Sequence, residues 1–262
     1  EGAVSALDFS NKLNMLIYEV FAVAISMVIY PTLSTYAAKK NNKEYKNALL
    51  KAINVIFLVM MPASLGVLIL REPIVSIIFG RGAFDEKAVK LTANALMFYT
   101  PAMVAYGVRD ILFKAFYSLQ DTKIPMINSF LGIFINIILS IILVNNMEVS
   151  GLALASATST LVTTLILILI LNNKLNGMNL KYLTKIFTKI TVSSFIMALI
   201  IVKVRNICFS KIGVGFQGNI ITIILCFIVG IVIYFICIYI FRVEEYIYFL
   251  ELFKRRARKN KS

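Results

Sequence analysis

Seven stretches of this chain are long and apolar enough to cross a lipid bilayer, and that limits the fold more than any motif does. A spanning helix needs about 20 mostly apolar residues. Residues 13–36, 49–70, 91–117, 124–144, 149–171, 183–202 and 218–241 meet the requirement and are called spans a to g. In hydrocarbon every backbone N–H and C=O must find a partner within the protein, so only helices and closed barrels cross. The runs lack the strict apolar–polar alternation of barrel strands, which predicts an all-α, polytopic membrane protein with seven transmembrane helices. Composition agrees: 60% of the 262 residues are hydrophobic and 15% charged, with a mean hydropathy of +0.85, far from the proportions of a soluble domain.

The same numbers remove whole classes of function. The apolar content excludes a disordered chain, and three scattered cysteines exclude a disulfide scaffold. Cys226 and Cys237 share span g, so the cysteines read as small packing or lipid-facing residues. Histidine is absent, so His metal sites, Ser/His/Asp triads and His general bases are not available, and no metal or cofactor is expected. With carboxylates mainly in loops, an enzyme is not expected either. A retinal protein would need a lysine inside span g, which has none.

The formal net charge of +14 lies between and beyond the apolar runs, which argues for membrane topology and against nucleic acid as a partner. Lys39, Lys40, Lys43, Lys46, Lys51, Lys123, Lys174, Lys181, Lys185, Lys189 and the seven basic residues after span g fall on one side, 17 in all. The opposite side holds 8: Lys12, Arg71, Arg81, Lys87, Lys90, Lys203, Arg205 and Lys211. By the positive-inside rule the C-terminus is cytoplasmic and span a begins outside. The expected organisation is spans a to f over 1–202, an outer loop and last span over 203–241, and a basic amphipathic tail over 242–262. That tail carries Tyr246, Tyr248, Phe249 and Phe253 ahead of Lys254, Arg255, Arg256, Arg258, Lys259 and Lys261. It lies on the anionic leaflet or serves as a solvated stop-transfer tail. Residues 1–7 are polar and small, so no cleavable leader is expected. A start on Glu1 rather than Met predicts a processed or truncated chain.

Within the spans, Pro62 and Pro101 are the kink candidates, Pro31 is a third interruption, and Pro125 occupies a harmless first turn. Gly151, Ala155, Ser159 and Thr163 form a small-residue seam on span e, which predicts close helix packing. Ser129, Gly132, Asn136 and Ser140 on span d form a facing seam, with Asn136 and Ser140 read as packing groups or an ion site.

Ionisable residues at membrane depth carry the most information, because a central charge costs roughly 2.5–3.5 kcal/mol on insertion scales. Seven residues are nearly two turns, so Lys12, Glu19 and Ser26 are predicted to share one stripe of span a, with Lys12 and Glu19 about 10 Å apart along the axis. For Lys12 two readings stand: a cavity residue, or an interfacial one paired with Asp8 at i, i+4. Glu19 is deeper and too short to snorkel, which favours a wet cavity. On span c, Asp110 and Lys114 are spaced for an i, i+4 pair, and Arg109 and Asp110 read as a cytoplasmic rim.

Several segments together resemble a known family. Leu7-Asp8-Phe9-Ser10-Asn11-Lys12-Leu13, continuing to Phe21-Ala22-Val23-Ala24-Ile25 and Pro31-Thr32-Leu33-Ser34, is similar to the opening of the second half of MurJ (MviN) proteins. Glu72-Pro73-Ile74-Val75, Phe79-Gly80-Arg81-Gly82-Ala83-Phe84 and Phe116-Tyr117-Ser118-Leu119-Gln120-Asp121-Thr122-Lys123-Ile124-Pro125 occur in matching order. The resemblance is good to about residue 156 and only hydropathic beyond.

MurJ proteins are bacterial lipid II flippases of the MOP superfamily, and the resemblance implies one lobe of a fourteen-helix transporter, with an N-terminal lobe as its missing partner. It implies a bacterial plasma-membrane protein that moves undecaprenyl-diphosphate-linked glycan from the inner to the outer leaflet by alternating access. Substrate contacts are then expected at Lys12, Asn11, Glu19, Asp8 and Ser26, with Lys12 where the family carries a cavity Arg. Ile17 stands where the family often has Pro, which predicts a straighter helix, and Glu19 where it often has a small residue. Spans f and g are similar to a pair that forms a lipid-tail groove. The alternatives are a flippase for another polyprenyl-linked polysaccharide, a MATE-like cation or drug antiporter, and a nonenzymatic scaffold.

Overall fold

In the computed structural model, which describes residues 2–82 and 84–243, short polar side chains set the helix starts. Asn41 accepts from the Glu44 N–H at 3.3 Å, Asp85 from Ala88 at 2.8 Å and Asn179 from Tyr182 at 3.1 Å. They satisfy donors that a first helical turn leaves free. These caps open α3 (Asn42–Phe79), α4 (Glu86–Ser118) and α6 (Leu180–Ile212). α1 (Ala3–Tyr18) passes through a π-helical turn (Glu19–Val23) into α2 (Ala24–Ala38) without a break. α5 is Lys123–Lys174 and α7 is Phe216–Ile240. The expected tail lies almost wholly outside the described residues.

Counted as continuous rods, the described residues hold six helices where hydropathy predicts seven spans. The difference lies in α5, which joins spans d and e. Its 52 residues would make a straight rod of about 78 Å. Yet Lys174, its last residue, forms an ion pair with Asp121, which lies just before its start. The chain therefore doubles back, and it does so at Glu148, whose φ of 49° and ψ of −129° are not helical. Across this hairpin the Ser159 hydroxyl donates to the Gly132 carbonyl at 2.6 Å. The seam residues Gly151, Ala155, Ser159 and Thr163 are all buried. A Cβ on Gly151 would meet the Leu143 carbonyl oxygen at 2.6 Å, so the close approach requires glycine.

Five rods are long and apolar enough to cross a membrane: Ala3–Ala38, α3, α5, α6 and α7. α4 is not among them, because Asn94, Thr100, Pro101 and Gly107 dilute its apolar run. Its position explains why that is tolerated. α3 and α4 lie antiparallel at the centre, with the Tyr45 hydroxyl donating to the Ala115 carbonyl at 2.8 Å and with Leu49, Ile53, Met60, Leu96, Met103 and Ile111 fully buried. The α1–α2 rod packs on α3 and α4, α5 lies along α4, and α6 and α7 pack on α3 and on each other. A helix inside the bundle need not carry an apolar outer face, whereas the outer helices do. α5 exposes Phe130, Phe134, Ile137 and Ile141, and α7 exposes Phe227, Ile228 and Ile231. The three cysteines are free and buried, as packing residues are.

Candidate functional site

Lys12 and Asp8 meet at 2.7 Å, one turn apart near the start of α1, with side chains 64% and 57% exposed. Asp8 occupies one of the three ammonium donors of Lys12, which leaves two free to meet an anion. Asn11 stands beside them, half-buried. Phe9 sets the turn: its ring lies 4.7 Å from Phe79 and 5.5 Å from Phe84, and the Lys12 ammonium lies 5.6 Å from the Phe9 centroid. Phe79 and Phe84, with Gly82 at a φ of +64° between them, thus buttress the Asp8–Lys12 turn from between α3 and α4.

The expected stripe does not run straight. Lys12 and Glu19 are both exposed, but the π-helical turn begins at Glu19, and Ser26 beyond it is fully buried. A π turn holds about one residue more than an α turn, which rotates the downstream residues by roughly 100°. Ser26 therefore leaves the face that carries Lys12 and Glu19. The rod passes Ile17 as regular α-helix, and its departure from α geometry is the π turn that begins two residues later.

Ser26 instead donates its hydroxyl to the Asp110 carboxylate on α4. Asp110 is half-buried, and the ion pairs among the described residues are Lys12–Asp8, Lys90–Glu86 and Lys174–Asp121, so the expected Asp110–Lys114 pair is not formed. Arg109 lies against the rings of Tyr106 and Phe113, at 5.0 and 5.9 Å, and Tyr18 of α1 packs on Tyr106 at 5.9 Å. Asp110 makes the polar contact between the α1–α2 rod and α4 through Ser26, about 21 Å along the rod from Lys12, while Arg109 rests on rings of its own helix. Tyr18 and Tyr106 carry no sequence signal beyond their helical spacing to charged neighbours.

Asn136 and Ser140 bond to each other, hydroxyl to side-chain carbonyl at 3.0 Å, along one face of α5. A cavity of about 570 Å³ lies between α3, α4, α5 and α6, lined by Phe57, Leu65, Pro101, Val104, Leu165 and Phe187 among others. None of its lining residues is ionisable, so it suits hydrocarbon and not a diphosphate, and it is separate from the charged groups of α1.

Residues 1–222 match the protein family described as lipid II flippase MurJ. The chain belongs to the MurJ family. The match runs from α1 into α7, well past residue 156, where recognisable motifs end. Similar proteins include the probable lipid II flippase MurJ of Thermotoga maritima, 29% identical over 244 residues, which make up 93% of this chain and 47% of that protein. The probable lipid II flippase MurJ of Bdellovibrio bacteriovorus is 23% identical over 245 residues, 94% of this chain and 46% of that protein. A solved structure of lipid II flippase MurJ in an inward closed conformation superposes with a TM-score of 0.75 at 26% identity, covering 92% of this chain and 47% of that one. The chain spans about half the length of these MurJ relatives.

Proposed function

We propose that this chain is the second half of a bacterial lipid II flippase and works with a partner lobe to carry undecaprenyl-diphosphate-linked glycan across the plasma membrane. The observation that carries the reading is the family match over residues 1–222, set beside coverage of about half of each relative. An amphiphile with a charged head crosses only if polar groups replace water around the head while the tail stays in hydrocarbon. The exposed Lys12–Asp8 turn, with Asn11 beside it, supplies such a group on an otherwise apolar rod. In this reading Lys12 contacts the diphosphate as a point charge, lacking the bidentate fork of an arginine. Glu19 faces the partner lobe, and Ser26 serves the rod–α4 contact. α5 counts as two crossings and α4 as one, giving seven spans, one lobe of fourteen, with a cytoplasmic C-terminus. The protein transports and catalyses no bond change.

The test is translocation of lipid II by the full-length protein that carries this sequence, reconstituted in vesicles. Movement of lipid II to the opposite leaflet supports the reading. Transport of small cations with no movement of lipid II would replace it with an antiporter.

A further inference from the structure

Two prolines interrupt α3, and each leaves one backbone carbonyl without its helical donor. In an α-helix the carbonyl of residue i−4 receives the N–H of residue i, and proline has none. Pro62 therefore vacates the carbonyl of Leu58, and Pro73 that of Ile69. Within a bundle at membrane depth an unpaired carbonyl is costly, and neighbouring helices are one source of a replacement donor.

Both replacements come from the last two helices. The Tyr234 hydroxyl of α7 donates to the Leu58 carbonyl at 2.6 Å, and Arg205 Nη1 of α6 donates to the Ile69 carbonyl at 2.9 Å. Of the 38 carbonyls of α3, these side chains reach the two that its prolines leave free. The bonds lie about 16 Å apart along α3, so together they fix both position and tilt. Further contacts agree with the docking. Asn219 Nδ2 donates to Ser76 Oγ at 3.1 Å, so α7 runs antiparallel to α3, and the Phe57 and Phe187 rings meet at 4.9 Å where α6 runs parallel to it. α6 and α7 are themselves joined closely, since a Cβ on Gly230 would lie 2.9 Å from Ile201 Cδ1. α4 is different: the carbonyl that Pro101 vacates, that of Met97, receives the Thr100 hydroxyl of the same helix at 2.8 Å.

We infer that Arg205 and Tyr234 are docking pins that use the proline-vacated carbonyls of α3 as sockets. They mount the α6–α7 pair on α3 and clamp both proline hinges, so that α3, α6 and α7 move as one rigid unit. The hinge in α4 is tied to no other helix by its Thr100 bond. The inference is independent of the cargo.

The test is amide hydrogen exchange of the full-length protein in lipid nanodiscs, with a double-mutant design. Tyr234→Phe is expected to speed exchange of α3 around residues 59–66 roughly fivefold, the size of one net hydrogen bond. In a Pro62→Ala background the restored backbone N–H at position 62 returns to the Leu58 carbonyl, and the same change is expected to alter exchange less than twofold. Arg205→Met should act likewise around residues 70–77, with the effect lost in a Pro73→Ala background, while Arg205→Lys keeps a donor and most of the protection. Equal effects in proline and alanine backgrounds, or no effect of Tyr234→Phe and Arg205→Met in the native background, would overturn the inference. The two pairs are independent, and the tyrosine and arginine variants alone decide it should an alanine background fail to fold.

Discussion

The rod Ala3–Ala38 and α3 are nearly equal in length, 36 and 38 residues, and the bundle uses them in opposite ways. In their most apolar windows 22% of the rod is buried, against 50% of α3. Both are irregular. α3 hides its defects: the carbonyls its prolines vacate are taken up by Tyr234 and Arg205. The rod carries Pro31 and, nearer its charged end, a π-helical turn that starts at the exposed Glu19. α3 has its proline defects repaired by neighbours, whereas α4, equally central, repairs its own through Thr100. A helix that presents charge keeps its irregularity beside that charge, where π turns often mark function.

The largest test of this contrast removes the charge from the rod. Lys12→Ala is expected to abolish complementation of a flippase-deficient strain, while Lys12→Arg, which restores a guanidinium able to hold phosphate bidentately, should complement fully. Full activity of the alanine variant at normal membrane abundance would take Lys12 out of the working face and leave the rod as one more packing helix.

Next in size is the point where the two rods meet α4. A Cβ on Gly107 would lie 2.9 Å from Ile56 Cγ2 of α3 and 3.3 Å from the Ala22 Cβ of the π turn, both in fully buried side chains. Gly107→Val should therefore destabilise by about 1–3 kcal/mol through overpacking, read as a lower thermal midpoint. Gly66, inside α3 with open space around its Cβ position, is the control. Gly66→Ala should be neutral or stabilising by up to about 1 kcal/mol on helix propensity.

Ser26→Ala probes the deep polar tie between the rod and α4. It strips a donor from the half-buried Asp110 carboxylate and should cost about 1–2 kcal/mol. A double-mutant cycle with Asp110→Asn separates the bond from its surroundings: additive losses would show that the two side chains do not act together.

Much of this was legible in the chain and some was not, for identifiable reasons. Each apolar run falls on a helix, though only five rods among the described residues are long and apolar enough to cross a membrane, and the gap between residues 144 and 149 marks the place where Glu148 turns the chain. Helix ends were undershot, α3 by seven residues at its start and nine at its end, because the polar run 42–48 and the Arg71-Glu72-Pro73 interruption break the hydropathy signal while the helix continues through both. The Asp8–Lys12 pair was legible because it is local. The π turn was not: Glu19-Val20-Phe21-Ala22-Val23 contains neither proline nor glycine, and the register shift shows only in three dimensions. Nor was the Ser26–Asp110 bond, whose partners are 84 residues apart. Prolines signalled kinks, but which groups answer them depends on helices more than 100 residues later.

The smallest effect expected is electrostatic and lies outside both rods, at the mouth of the α5 hairpin. The Lys174 ammonium, donating to the Asp121 carboxylate, holds Asp121 below the usual carboxylate range, despite an opposing contribution from burial, and the Ile124 N–H assists. A carboxyl with a lowered folded-state pKa stabilises above its unfolded value, near 3.9, and loses that contribution as pH falls through the folded value. Asp121→Asn should therefore cost no more than about 1 kcal/mol at neutral pH, in line with a pair at the protein surface. The cost should begin to shrink below about pH 4, where the unfolded carboxyl takes up its proton, and vanish as pH falls through the lower folded value. Thermal midpoints of the native protein and the Asp121→Asn variant that stay the same distance apart from pH 7 down to pH 3 would show that the hairpin is closed by packing at Gly132, Gly151 and Ser159 and owes nothing to the ion pair.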